Sequence, residues 1–181
     1  MDSYLFQTTT TQTNEEIIDE LMQIYGQDVL QLIVQYVHNV TIAEDLTQEI
    51  FIKCYKALPT FQQQSSMKTW LWRIAINHAK DYLKSWYYKK VELIEQTYLQ
   101  AQPTLQNVEN IVVQRDEEDA LVHAVMQLPI KYREVIYLCF YEEQKMKEIA
   151  DVLQINENTV KTRLRKGKQL LKKQLEGEFN G

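Results

Sequence analysis

Two stretches of the sequence are rich in cationic side chains, and one of them also contains aromatic rings, a composition that suits contact with nucleic acid. Residues 158–175 contain seven Lys and Arg and no acidic residue. Residues 67–90 contain six Lys and Arg, one acidic residue and all three tryptophans. Cations bind phosphates and aromatic rings stack on bases. These stretches are the first candidates for a functional surface, although each also fits the solvated face of an ordinary helix.

Catalysis has little support in the sequence. His38, His78 and His123 stand apart from one another, and the chain has no Gly-rich phosphate loop, HExxH motif or CxxC motif. Adjacent acids such as Glu142 and Glu143 are more typical of solubilising charge than of a metal-dependent nuclease. We therefore expect no enzyme activity, no cofactor and no bound metal.

Charge is strongly segregated along the 181 residues, although the net charge is only −5. Residues 1–66 hold nine acidic residues against two basic ones, and residues 91–119 hold seven against one. An apolar fraction of 45% is sufficient for a folded core. Because only four glycines and three prolines occur and the apolar period is near 3.6, we predict an all-α protein of two small helical domains.

The cysteines and the N-terminus favour a cytoplasmic location. Cys54 and Cys139 lie far apart within apolar helical patterns, which argues against a disulfide framework and suits a reducing compartment. The first residues show no secretory leader, and no apolar run is long enough to span a bilayer. We therefore expect no membrane insertion.

The first domain is predicted at residues 14–92, after a loose tail at 1–13. Its first helix is predicted to be capped by Asn14, with Gly26 as a point of interruption, and its second helix to be capped by Thr41. A third, long helix follows a polar loop at 61–66. On that helix Arg73, Asn77, Lys80 and Lys84 share a polar sector between two apolar strips.

The second domain is predicted at residues 112–176, between an acidic linker at 93–111 and a tail at 177–181. Its end has the spacing of a helix-turn-helix. The apolar positions of that motif are Ile149, Ala150, Leu153, Ile155, Val160 and Leu164. Asn156 is the predicted cap of the second helix. Gln154 occupies a turn position where Gly is common, so the sequence predicts that another residue adopts the turn geometry.

Three motifs, in the same order, resemble the extracytoplasmic-function group of bacterial sigma-70 factors. They are AEDLTQEIFIKCYKAL, FQQQSSMKTWLWRIAINHAKDYL and LPIKYREVIYLCFYEEQKMKEIADVLQINENTVKTRLRKGKQLLKK. The resemblance covers residues 15–90 and 112–175. It implies that the first domain is sigma region 2, which binds RNA polymerase core and the promoter −10 element. The second would be sigma region 4, a helix-turn-helix domain that binds the −35 element.

The resemblance also implies roles for individual residues. Contacts to the −10 element or its single strand fall on Gln62, Gln63, Gln64, Ser65, Ser66, Arg73, Asn77, Lys80 and Lys84. Contacts to the −35 element fall on Asn158, Lys161, Thr162, Arg165 and Lys166. Contacts to the core polymerase fall on Asp45, Gln48, Glu49 and Ile52.

The implied partners are the largest-subunit clamp and the second-largest-subunit flap of RNA polymerase core, promoter DNA and an anti-sigma factor. The leading hypothesis is a sigma factor that helps to melt promoter DNA. A stand-alone helix-turn-helix regulator is the alternative, and it leaves the aromatic and basic first domain without a role.

Overall fold

The computed structural model describes residues 12–98 and 117–179, with side chains at 12–87 and 121–176. Within these ranges the chain forms seven α-helices, one 3-10 turn and no strand, which confirms the all-α prediction. We call α1 to α3 the N-terminal domain and α4 to α7 the C-terminal domain.

The N-terminal domain starts with α1 (Asn14–Val37) and α2 (Val40–Ala57), followed by a 3-10 turn (Leu58–Thr60). The predicted caps were wrong by one or two residues. Thr13 caps α1 because its hydroxyl accepts from the Glu16 amide while the Glu16 carboxylate accepts from the Thr13 amide. Asn39 caps α2 by accepting from the amide of Ile42. The helix α1 is continuous through Gly26, so the predicted interruption is absent.

Helix α3 (Met67–Tyr98) is the longest of the described helices and packs against both α1 and α2. Its last six residues, 93–98, fall in the predicted linker; the rest of that linker lies outside the described residues. Trp72 is fully enclosed, and its ring meets that of Tyr25 edge-on at 5.4 Å between centroids. Residues of both apolar strips of α3 pack into the core, and the sector between them carries the exposed Asn77 and Lys84.

The C-terminal domain contains α4 (Glu117–Met126), α5 (Ile130–Phe140), α6 (Met146–Leu153) and α7 (Glu157–Phe179). Helix α7 continues into the predicted tail at 177–181 as far as Phe179. It crosses α5 closely at Gly167, where a Cβ atom would lie 2.7 Å from Cδ1 of Ile136.

The turn between α6 and α7 corrects one prediction and confirms another. Gln154 itself adopts the left-handed conformation, with φ 54°, so no other residue takes over the glycine-like position. Its side chain is exposed and unbranched at Cβ, so it avoids the larger steric cost that a β-branched residue has in this conformation. Asn156 caps α7 as predicted, because its Oδ1 accepts from the Thr159 amide at 2.7 Å.

The two domains pack against each other. Helix α3 lies against α6, and α1 lies against α5. The buried apolar residues of both domains form one continuous cluster. The basic sector of α3 therefore lies close to the C-terminal domain, and this placement decides which of its cations are accessible.

Candidate nucleic-acid interface

The first turns of α7 present an open basic surface. Asn158, Lys161, Thr162, Arg165 and Lys166, the residues predicted to contact the −35 element, are all exposed. Cations and hydrogen-bond donors therefore lie at the start of the second helix of the helix-turn-helix. In such motifs this part of the helix contacts base edges and phosphates.

A cleft of about 390 Å³ extends this surface toward α5. Thr162, Arg165 and Lys166 line it together with residues that the sequence reasoning did not select: Lys131, Tyr132, Arg163 and Gln169. Lys131 stands in the first turn of α5, far from α7 in sequence. Its proximity in space follows from the α5–α7 crossing, which local patterns do not reveal.

The polar sector of α3 is divided by the packing of the two domains. Arg73 Nε donates to the backbone carbonyl of Asp151 at 2.7 Å, and Lys80 Nζ lies 2.9 Å from Glu134 Oε2. Lys84 is exposed and lies 3.8 Å from Asp81 on its own helix. Asn77 is also exposed. Of the predicted −10 residues on α3, two thus contact the C-terminal domain and two face solvent.

Asn77 opens on a groove of about 430 Å³ between α2 and α3. The other residues that line it are Lys53, Lys56, Ala57, Ile74, His78 and Asp81. The loop from Gln62 to Ser66, which is also predicted to contact the −10 element, does not line this groove. Lys53 and Lys56 are cations of α2 that the sequence reasoning did not assign to this site.

The loop before α3 has its own geometry. Gln62, Gln63 and Gln64 are exposed, and Gln63 has a positive φ of 55°. Ser65 is half-buried. The hydroxyl of Ser66 accepts from the amide of Thr69 at 3.1 Å, so this side chain caps the beginning of α3.

The outward face of α2 carries the residues predicted to contact polymerase, Asp45, Gln48, Glu49 and Ile52. All four are exposed. Glu49 is held by His78 of α3, whose Nε2 lies 2.7 Å from the carboxylate, and Nδ1 of His78 lies 2.7 Å from Nζ of Lys53. These contacts link α2 to α3 beside the groove that Asn77 lines.

Glu134 is the most connected acidic group between the two domains. Its side chain is only 2% exposed, and Oε2 accepts from the Tyr36 hydroxyl at 2.8 Å in addition to pairing with Lys80. Oε1 accepts from Arg163 of α7 at 2.9 Å. Burial, and then the charge of Glu134, hold the pKa of Tyr36 well above its usual range, so its hydroxyl remains a donor.

Glu142 provides a second ionic contact between the domains. Its side chain is 2% exposed and lies 3.1 Å from Nζ of Lys68. Burial raises the pKa of Glu142, and the charge of Lys68 opposes that rise. The Tyr141 hydroxyl also donates to the side chain of Gln31 in α1. Lys68 in turn lies 5.0 Å from the ring centroid of Trp72, so this contact is anchored in the core of the N-terminal domain.

A helix-turn-helix domain whose second helix carries an exposed basic face is typical of DNA-binding proteins. Comparison with known families makes this specific. Residues 21–86 match the Sigma-70 region 2 model, and residues 118–171 match the Sigma-70, region 4 model.

Curated relatives agree over nearly the whole chain. The ECF RNA polymerase sigma factor SigW of Bacillus subtilis is 33% identical over 169 residues, which is 90% of both chains. The RNA polymerase sigma-H factor of Pseudomonas aeruginosa is 33% identical over 170 residues, covering 90% of this chain and 88% of the relative. The chain belongs to the extracytoplasmic-function group of the sigma-70 family.

Solved structures show the same fold. The sigma factor RpoE, in complex with the anti-sigma factor NepR from Bartonella quintana, has a TM-score of 0.65 at 18% identity and covers 90% of this chain and 98% of its own. CnrH, in complex with the cytosolic domain of CnrY, has a TM-score of 0.65 at 20% identity and covers 90% of each chain. The protein is an RNA polymerase sigma factor and not a stand-alone regulator. We refer below to its two domains as region 2 and region 4.

Among the described helices, none combines the length and apolar character that crossing a membrane requires.

Proposed function

We propose that this sigma factor recognises promoters through two separated surfaces while it is bound to RNA polymerase core. The observation that carries the proposal is the pair of basic faces, one on α3 of region 2 and one on α7 of region 4. The chain adds no catalysis of its own, acts in the cytoplasm and needs no cofactor or metal.

The −35 element is proposed to bind along α7 through Asn158, Lys161, Thr162, Arg165 and Lys166. Arg and Lys side chains donate to guanine O6 and N7, and a Thr methyl group contacts thymine. Lys131 lines the same cleft and is proposed to contact a phosphate of the same duplex.

The −10 element is proposed to bind region 2 as a single strand. Capturing a base outside the stack must offset an unstacking cost of a few kcal/mol. The groove beside Asn77 offers a side-chain amide for base recognition, with Lys53 and Lys56 available for the backbone. Gln62, Gln63, Gln64, Ser65 and Ser66 form a separate polar surface, and Arg73, Lys80 and Lys84 supply further cations.

Two protein partners complete the proposal. The exposed face of α2, with Asp45, Gln48, Glu49 and Ile52, is proposed to bind the clamp of the largest polymerase subunit, and region 4 to bind the flap of the second-largest subunit. An anti-sigma factor is proposed as the inhibitory partner, in line with the complexes of RpoE with NepR and of CnrH with CnrY.

The test is reconstitution of the full chain with purified polymerase core, followed by sequencing of the transcripts that start from genomic DNA of the source. Specific start sites that depend on the chain are expected, and their absence contradicts the proposal. Tight duplex binding by the chain alone, with transcription indifferent to it, would also contradict the proposal, because promoter recognition would then not depend on polymerase core.

The role of Asn77 is tested by Asn77→Ala in the same system. Losing one polar base contact is expected to weaken open-complex formation by about 1–2 kcal/mol while affinity for core polymerase is unchanged. Permanganate footprinting measures the opening and size-exclusion titration the affinity. Gln48→Ala is the matched control on the α2 face, with the opposite pattern expected; equal loss of both properties in Asn77→Ala would refute the assignment.

A further inference from the structure

His78 connects the two surfaces that region 2 is proposed to use. It follows Asn77 on α3, and its side chain is only 11% exposed. One ring nitrogen, Nε2, lies 2.7 Å from the carboxylate of Glu49, a proposed polymerase contact on α2. The other, Nδ1, lies 2.7 Å from Nζ of Lys53, which lines the groove beside Asn77. A single imidazole ring therefore contacts one residue of each surface.

The chemistry of the two neighbours determines where the proton of the His78 ring lies. A lysine ammonium can only donate hydrogen bonds, so Nδ1, which faces Lys53, must accept. An ionised carboxylate can only accept, so Nε2 must carry the proton and donate to Glu49. The neutral ring with its proton on Nε2 satisfies both contacts. The doubly protonated ring would instead turn an N–H toward the Lys53 ammonium, and the two positive charges would repel each other.

These contacts restrict two long side chains at the surface. The side chain of Glu49 is 58% exposed, and Lys53 is also exposed. Such side chains lose rotamer freedom when they bind a partner, and this loss weakens the binding. His78 removes part of that loss in advance, because its nearly buried ring has little freedom of its own. An ionised carboxylate accepts several hydrogen bonds, so a donor from polymerase can bind Glu49 without displacing His78.

We propose that His78 is a positioning residue: it orients Glu49 for polymerase core and Lys53 for the DNA strand, and it thereby couples the two binding events. Both ligands order the same three side chains. The ligand that binds first therefore fixes the contacts, and the second loses less side-chain freedom when it binds. The coupling is reciprocal, so core strengthens strand binding by the same factor as a strand strengthens core binding.

The coupling rests on the proposed roles of Glu49 and of the groove, whereas the contacts of the His78 ring do not. Two measurements on the full chain therefore keep these parts separate. Nuclear magnetic resonance reports the tautomer of the ring without any ligand. Binding titrations with polymerase core and with a DNA strand report the coupling.

The tautomer is measured from long-range proton–nitrogen correlation spectra of the chain with isotope-labelled histidine. The chain has three histidines, and the signal that His78→Gln removes identifies His78. The form with its proton on Nε2 is expected at neutral pH. In Lys53→Met, Nδ1 loses its donor, and its resonance is expected to move toward that of an unbonded imidazole nitrogen. A natural chain with the proton on Nδ1, or a ring that Lys53→Met leaves unchanged, overturns the proposal.

Two substitutions at His78 separate its polar contacts from its packing. His78→Gln retains both a donor and an acceptor at the end of the side chain, so it can keep both contacts. His78→Leu fills the site with an apolar group and makes neither contact. His123→Leu is the matched control, because it makes the same change at an exposed histidine of α4 in region 4.

Strand affinity is measured by fluorescence anisotropy with a labelled oligothymidine, for the chain alone and for the chain saturated with polymerase core. The ratio of the two affinities gives the coupling, and the strand binding of core itself is the same for every variant. His78→Leu is expected to weaken core binding about fivefold and to reduce the coupling ratio by a similar factor. His78→Gln is expected to retain most of both, and His123→Leu to change neither.

A second variant tests the same link from the side of the groove. If His78→Leu loses helical circular dichroism, Lys53→Met takes its place in the titration with core. Lys53 is not among the proposed polymerase contacts, so a loss of core affinity in Lys53→Met supports transmission through His78.

Three results of the titrations would overturn the proposal. If His78→Leu or, in its place, Lys53→Met binds core as tightly as the natural chain, His78 does not position Glu49. If His78→Leu weakens core binding and leaves the coupling ratio unchanged, the two surfaces are not linked. If His78→Gln is impaired as much as His78→Leu, the polar contacts of the ring do not carry the effect. A failure of the proposed function is distinguishable, because the natural chain itself would then give no specific transcripts with core.

Discussion

Regions 2 and 4 both carry basic faces, but their cations are in opposite situations. On α7 the predicted DNA contacts Lys161, Arg165 and Lys166 are exposed to solvent. On α3, Arg73 and Lys80 are engaged by groups of region 4. The composition of the two helices does not predict this difference. It arises because region 4 packs against region 2.

A cationic face can therefore serve as a binding site only where other groups of the same chain do not already engage its cations. The α7 face is exposed as it stands, whereas Arg73 and Lys80 of α3 already contact acceptors of region 4. The two promoter elements are therefore expected to differ in how strongly their recognition depends on polymerase core, with the −10 element more dependent.

The largest expected effect follows from removing Glu134, the carboxylate that links the two faces. In Glu134→Ala, Lys80 and Arg163 lose their ion-pair partner and the Tyr36 hydroxyl loses its acceptor. Breaking such a buried network is expected to cost about 3 kcal/mol of stability. Calorimetric or urea unfolding measures the loss.

The matched control for this variant is Glu44→Ala, an exposed glutamate of α2 with the same chemical change. Its effect should stay within about 0.5 kcal/mol. A Glu134→Ala variant as stable as the control would mean that the network contributes nothing, and the contrast between an occupied and an open face would lose its energetic basis.

An intermediate effect tests the open face directly. Arg165→Ala is expected to weaken binding of the reconstituted holoenzyme to a promoter duplex by about 1–3 kcal/mol. The magnitude of its salt slope should fall by about 0.9 for each phosphate that the variant no longer neutralises. Because the α7 face is already accessible, the same weakening is expected in the background of Glu142→Lys, a change that removes the ionic contact of region 4 with Lys68.

The informative outcome is whether the effects of Arg165→Ala and Glu142→Lys on the binding free energy add. Effects at uncoupled sites add, and effects at coupled sites do not. Lys172→Ala serves as the control, because Lys172 is exposed farther along α7 and lies 3.6 Å from Glu176. If Glu142→Lys altered the effect of Arg165→Ala several-fold, the α7 face would depend on the contact between the regions. The contrast between an exposed α7 face and an engaged α3 face would then fail.

Local signals in the sequence predicted much of the fold. The 3.6-residue period gave the all-α class, the helix-turn-helix spacing located α6 and α7, and Asn156 was recognised as a cap because capping depends on neighbours three residues away. The helix ends were less accurate. Thr13 and Asn39 cap helices for which Asn14 and Thr41 were also plausible caps by residue type.

The connection between the regions could not be predicted in the same way. Tyr36 and Glu134 are 98 positions apart, and nothing in either local pattern indicates a hydrogen bond between them. Glu134 reads as one more charge on an amphipathic helix, while the structure buries it. Lys131 in the cleft beside α7, and Lys53 and Lys56 in the groove beside Asn77, were missed for the same reason: packing between helices brings them there.

The smallest expected effect concerns the turn that orients the open face of region 4. Gln154 holds a φ of 54°, a conformation that glycine adopts at little steric cost. Gln154→Gly is therefore expected to stabilise region 4 by about 0.5–1 kcal/mol, the strain relieved being partly offset by the freedom that glycine adds to the unfolded chain. Urea unfolding followed by circular dichroism measures the change.

The same substitution at an exposed position inside α7, Gln169→Gly, should have the opposite sign. There the backbone is helical, and replacing Gln by Gly costs about 1 kcal/mol of helix stability. Stability changes of opposite sign would show that the backbone at Gln154 is strained, and that the gain from glycine is specific to this turn position. If both variants were destabilised alike, Gln154 would be making contacts that outweigh its backbone strain, and the orientation of the exposed α7 face would depend on its side chain.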